Sequence, residues 1–219
     1  MKSLFRFPYY LLRPWIPRCA QIRMRRWVAR RVYRRESRFW PVPEHARHGV
    51  SRTKVWPGGA RFAFAVRHDV EGEHGRATTL RLMELDKAFG IRSAFNFSPE
   101  RYAVDSSLVE ELSTQGFEVA LHGLRHDGLL YATRWVFRRR AVRIRRKLHE
   151  WKAVGFCSPS SHHRLTWLHE LPIEYDSSTF DADPFEPEND GIGRITPLLM
   201  RDGNGGHSYV ELPYTLPQD

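Results

Sequence analysis

Cysteine is nearly absent: the 219-residue chain has two, Cys19 and Cys157. They fall in regions of different character, so a disulfide framework is not indicated, and two isolated thiols suit a reducing compartment. Also missing is any run of 18 or more uncharged apolar residues, which leaves no single helix able to span a bilayer. Residues 4–17 come nearest to a secretory leader, but Arg6, Pro8, Arg13 and Pro14 interrupt them and leave no adequate apolar core. These absences read as a cytoplasmic protein. Acid is scarce in one region only. Residues 1–54 hold 15 Lys or Arg against 2 acids, whereas the rest of the chain holds 20 against 23. The formal net charge of +10 therefore belongs to an N-terminal arm and says little about the chemistry of the remaining residues.

What is present fits one globular domain behind that arm. The hydrophobic fraction of 41% is slightly low, but 13% of the residues are aromatic, enough to exclude disorder throughout. We read residues 1–59 as a basic arm and linker and residues 60–219 as the domain. Within the arm, residues 18–40 interleave nine arginines with Ile22, Met24, Trp27, Val28, Val32, Tyr33 and Phe39. The apolar positions make no clean stripe, yet a basic amphipathic helix fits, either idle or lying on an anionic membrane surface at its inner face. No recognised nucleic-acid motif accompanies it, so nucleic acid is not an expected partner. Pro41, Pro43, Pro57, Gly58 and Gly59 mark the linker.

The domain alternates strand and helix patterns. Phe62–Val66 is an apolar run of the kind expected of a buried strand, followed by His68, Asp69, Glu71 and Gly72. A helix over about 76–89 stops at Gly90, and a strand spans 91–97. Ser107 with Glu110 has the form of a capping box. A strand over 117–121 then delivers His122, with His126 four residues on. Helical spacing over 129–151 carries Arg134, Arg138, Arg139, Arg140, Arg143, Arg145, Arg146 and Lys147, with no acid between 134 and 147. We read that as a solvated face unless an acidic patch lies near. GFCSPS at 155–160, a short helix through Leu171, a strand at 173–178, an acidic Pro/Gly loop at 181–193 and two strand-like pieces at 194–200 and 208–215 complete the chain. This alternation predicts a parallel sheet with helices outside it.

Functional groups collect at strand ends in such folds. His122 and His126 can face one ion across a single turn, and a carboxylate from the 69–71 stretch would make a three-ligand, open site. Gly123 stands where a zincin needs Glu, so that class is excluded.

The order of these pieces resembles the polysaccharide deacetylase family, carbohydrate esterases with a NodB-homology domain, over roughly residues 60–219. RHDVEG at 67–72 is similar to the family's first motif, HGLRH at 122–126 matches its second, GFCSPS its third and YDSS at 175–178 its fourth. The resemblance implies an irregular (β/α) barrel and a metal-dependent hydrolysis of the N-acetyl group of an amino sugar in a polysaccharide or glycolipid. It assigns Asp69 as general base, Glu71, His122 and His126 as ligands of a divalent metal such as Zn²⁺, and Pro159, Tyr175 and Asp176 to the substrate pocket. Three features depart from the family. Glu71 replaces an Asp adjacent to the base, and Cys157 stands where an Arg would orient Asp69. The C-terminal His of the fifth motif has no counterpart, so the barrel reads as incomplete; His162 and His163 are stand-in candidates for the acid. These departures raise a second expectation, a domain that binds metal or sugar without turnover.

Overall fold

The first strand is not the apolar run. In the computed structural model, which describes residues 15–39, 56–60, 62–159, 162–180, 192–203 and 205–215, β1 is Arg67–Val70, and Phe62 and Phe64 before it are exposed. His68 and Asp69 thus lie within the strand, and Glu71 comes directly after its end. A strand whose one face lines a polar site does not need an apolar sequence on that face.

Helix α1, Arg18–Glu36, belongs to one of two compact units. It exposes Ile22, Met24, Trp27, Val28 and Tyr33, and the guanidinium of Arg31 lies over the Trp27 ring. No described helix is long and apolar enough to cross a membrane. The expected linker over 41–55 and most of the acidic loop at 181–193 fall outside the described residues.

The second unit, built from residues 51–178 and 198–212, carries the sheet. After β1 come α2 (Glu73–Ala88), β2 (Ala94–Phe97), α3 (Ser106–Thr114), β3 (Glu118–Leu121), α4 (Arg134–Trp151), β4 (Gly155–Phe156), α5 (Leu165–Leu168), β5 (Tyr175–Asp176), β6 (Leu198–Met200) and β7 (Tyr209–Glu211). The seven strands lie in the order β1-β2-β3-β4-β5-β7-β6. Every neighbouring pair is parallel except β6 with β7. Parallel strands joined by helices in sequence order make an α/β architecture, that of an incomplete (β/α) barrel.

Strand alternation sorts the residues onto two faces. Phe95, Phe97, Leu121 and Phe156 are fully buried on one, with Leu112, Phe137, Ile144 and Leu148 of the helices also inaccessible to solvent; each such side chain contributes about 1.5–3 kcal/mol by burial. Phe97 meets Trp151 of α4 edge-on. The other face carries Arg67, Asp69, Asn96 and Ala120 in register. It is polar and lined with small residues, which leaves room for chemistry.

Two local expectations change. Helix α3 starts two residues early, behind Asp105, and no side chain caps it, so the Ser107–Glu110 box does not form. Helix α4 begins at Arg134 because the Thr133 hydroxyl accepts the Val136 N–H at 3.2 Å, and it ends at Lys152 in the left-handed region. Its cations are not left to repel one another. Arg140 forks onto Asp127 at 2.7 and 2.8 Å, Arg143 meets Glu100 at 2.9 Å, and Arg134 and Arg138 share Glu170. The acidic patch exists, but segments before and after the helix supply it.

Candidate metal centre

The site forms where β1 and β3 end. Asp69 is third of four residues in β1 and points with Arg67 to the polar face, while Glu71 follows the strand directly. His122 is the first residue after β3, and its N–H continues the ladder to the Phe97 carbonyl at 2.8 Å. Gly123 then turns the chain with φ +62°, and a Cβ there would meet Pro159 Cγ at 2.8 Å. Only glycine fits both demands. Leu124 is buried, and its carbonyl accepts the Glu100 N–H at 2.9 Å, which anchors the loop that carries His126. The same loop is clamped from α4: Arg140 holds Asp127, and Arg125 and Arg143 both reach Glu100.

Glu71, His122 and His126 come together. His126 Nε2 lies 3.0 Å and His122 Nε2 4.0 Å from Glu71 Oε1, and the two imidazole centroids are 5.4 Å apart. One donor atom from each lies within 4.8 Å of the others. Ligand bonds of about 2.0–2.2 Å in a tetrahedron place donors roughly 3.3–3.6 Å apart, so small side-chain rotations close the set. His122 is 2% exposed, and among the described residues neither of its ring nitrogens has a hydrogen-bond partner. Burial pushes its pKa down to about 4, so the ring is neutral at ordinary pH. A buried, neutral, unbonded imidazole is costly unless something binds it; a divalent cation fits. The Glu71 carboxylate 3.0 Å away raises His126 above its usual pKa, and the same contact lowers Glu71.

Asp69 occupies the other side of His122, its Oδ1 4.0 Å from Nδ1. Asn96, its register partner on β2, donates to that Oδ1 at 2.7 Å, and Arg67 Nη2 lies 3.2 Å from Oδ2. Arg67 is itself held by donating through Nη1 to the Ser177 carbonyl. A guanidinium beside Asp69 thus comes from β1, two residues before the carboxylate it holds, and not from position 157 as the resemblance implied. Cys157 is buried with its thiol pushed far up by burial, and the Arg67 guanidinium reaches it. Arg67 and Asn96 were not singled out from sequence. The signals were there: Arg67 shares the two-residue strand period with Asp69, and Asn96 is the lone polar residue in AFNF.

The remaining candidates flank this cluster. Pro159 packs on Gly123 and lines a small pocket with Arg125, Gly128, Leu130, Tyr131 and His162. His163 is buried. Tyr175 lies over Gly155, where a Cβ would come within 2.3 Å of its hydroxyl, and it hydrogen-bonds Glu118 at the start of β3, the end of the strand opposite His122. Asp176 pairs in register with Phe156 and Glu211, which places it on the helix-facing side of the sheet. It is fully buried, and its carboxylate accepts from the Ser178 hydroxyl at 2.7 Å and N–H at 3.1 Å. Tyr175 and Asp176 are not part of the Glu71, His122 and His126 set, but both lie within electrostatic reach of Arg67 and Cys157, on the Asp69 side of the site.

No family model matches the chain, and no curated protein matches it. Among solved structures it is similar to a crystal structure of Puue Allantoinase, at 18% identity and a TM-score of 0.54. The match covers 74% of this chain and 64% of that one, so the chain spans less than two thirds of the structure it resembles. At that identity the likeness is one of fold.

Proposed function

We propose that the chain is a metal-dependent hydrolase of the polysaccharide deacetylase type, removing the N-acetyl group from an amino sugar in a polysaccharide or glycolipid. One observation carries the reading. Glu71, His122 and His126 converge on one side of a buried imidazole, and Asp69 stands on the other side, held by Arg67 and Asn96. That is a ligand set beside a separate, oriented carboxylate, the division of labour amide hydrolysis needs.

Glu71, His122 and His126 would hold the ion, and two imidazoles with one carboxylate suit Zn²⁺. When bound, it supplies Lewis acidity toward an amide carbonyl. The protein's own residues do the rest. Asp69 accepts the proton of an attacking water, with Arg67 on Oδ2 and Asn96 on Oδ1 fixing the direction its remaining lone pairs face. The departing amine must take up a proton in turn, and His162, at the recess beside the loop, is the candidate donor. The Arg140–Asp127 fork keeps the His126 loop from swinging away. Pro159 and His162 line the recess next to that loop and are proposed to meet the sugar.

Acetate release from an N-acetylglucosamine oligomer, measured with and without added Zn²⁺, tests the reading. Metal-stimulated release that is lost in His126→Ala and Asp69→Asn supports it. Metal binding without release in the unaltered chain would instead favour the domain that binds without turnover. For the arm, we propose contact between residues 1–54 and an anionic membrane surface, supported by the exposed arginines and aromatics of α1.

A further inference from the structure

We propose that Arg67 decides which nitrogen of His122 receives the metal. This rests on the metal site proposed for Glu71, His122 and His126 and extends it to a choice that the donor atoms alone leave open. His122 stands between two donor sets: Glu71 with His126 toward Nε2, and Asp69 with Cys157 toward Nδ1. In each set the donor atoms lie within 4.8 Å of one another.

Judged by ligand chemistry, the second set is the stronger one for a first-row metal. It combines a carboxylate, an imidazole and a thiol, and a coordinated thiol loses its proton to become a soft, anionic ligand. It is also the more enclosed, since Cys157 and His122 are each 2% exposed while Glu71 is largely solvent-accessible. Such a set would capture Asp69 as a ligand and leave no free carboxylate.

The guanidinium is what distinguishes the two sides. Arg67 lies 3.2 Å from Asp69 Oδ2, is tied to the Ser177 carbonyl and reaches the Cys157 thiol. A guanidinium is a fixed cation. A fixed positive charge inside a partly buried donor set repels a dication strongly, because screening by water is weak there. On the Glu71 side, His126 is itself a ligand, and the Arg101 guanidinium, on an exposed side chain, acts on Glu71 and His126 at longer range without an ion pair to Glu71 among the described residues. The cation is directed to Nε2, and Asp69 stays uncoordinated. Arg67 is in this sense a positioning residue for the ion as well as a partner of Asp69.

Cobalt(II) titration of the full chain tests this without reference to activity. Thiolate bound to cobalt gives an intense near-ultraviolet charge-transfer band, whereas tetrahedral cobalt with nitrogen and oxygen ligands gives visible bands alone. The unaltered chain should show the visible bands only, and Cys157→Ser should leave its cobalt affinity within about twofold. Arg67→Gln keeps amide donors for Ser177 and Asp69 but removes the charge; it should gain the near-ultraviolet band and lose it again with Cys157→Ser. Arg67→Lys keeps the charge and should not gain it. A thiolate band in the unaltered chain, a Cys157→Ser loss beyond tenfold, or cobalt bound without the band in Arg67→Gln would each overturn the proposal. The first two measurements decide it even if Arg67→Gln does not fold. No cobalt absorption in any folded variant would remove the metal site itself, and this inference with it.

Discussion

Replacing Gly123 by Ala tests the geometry on which the His122 loop depends. The substitution has two costs that can be separated. Alanine at φ +62° sits in the left-handed region, at about 1–2 kcal/mol. Its Cβ also meets Pro159 Cγ at 2.8 Å and Cδ at 2.9 Å, ring atoms of a rigid residue, and overpacking of that kind costs about 1–3 kcal/mol. Together they come to roughly 2–5 kcal/mol, a large share of the 5–15 kcal/mol that typically holds a domain folded. Gly128 is the internal control. It has φ +70°, but a Cβ there would find His162 ring atoms no nearer than 3.9 Å, so Gly128→Ala pays the first cost alone. With a urea slope near 2 kcal/mol per molar, Gly123→Ala should lower the unfolding midpoint by roughly 1–2.5 M and Gly128→Ala by no more than about 1 M. The double variant Gly123→Ala/Pro159→Ala should regain the difference between them. Equal midpoints for the two single variants would refute the close approach of Pro159 to the loop, and with it the account of how His122 is aimed.

His126→Ala removes one of three proposed ligands, so cobalt or zinc affinity should fall by more than the roughly 10–100-fold that loss of an outer-shell partner costs; isothermal titration reads it. Burial pushes Asp176, whose carboxyl hydrogen-bonds that of the buried Glu211, up from 3.8 to about 6. Its folded pKa lies above the unfolded one, so its contribution to stability is complete below about pH 3.8 and is lost as pH rises through 6; urea midpoints for Asp176→Asn should fall less between pH 4 and pH 7 than those of the unaltered chain. Deleting residues 1–54 should abolish sedimentation with anionic vesicles while the circular dichroism of the domain persists, and unchanged sedimentation would leave the arm without a membrane role.

The features that could be read from sequence were the local ones. His122 and His126 sit four residues apart in the chain itself, although the loop between them is not the helical turn expected, and the strand–helix alternation is periodic enough to predict a parallel sheet. What depended on distant partners could not be read. The apolar run at 62–66 competed for the strand assignment with Arg67–Val70, and lost because a strand lining a polar site carries its charges inward. The charges of α4 suggested a solvated face because Glu100, Asp127 and Glu170, which meet them, lie elsewhere in the sequence. Asp176 ends a strand as expected, but the register with Phe156 turns it toward the helices. The register of a two-residue strand is set by its neighbours, and no motif records it.

The tie between Arg67 and the carbonyl of Ser177 joins positions 110 residues apart. Closing a loop of that length costs about 4 kcal/mol in chain entropy, before any constant for the ends. The carboxylate at position 69 is thus set in place only after the fifth strand has docked, late in the folding of the sheet. During synthesis, β1 leaves the ribosome several seconds before residue 177 does, at about 5–20 residues per second. In that interval Arg67 lacks its anchor, and Asp69, His122 and Cys157 lack a fixed guanidinium between them. A metal ion that arrives early meets a different set of donors from one that arrives late, so the order of folding and loading can determine where the ion ends up.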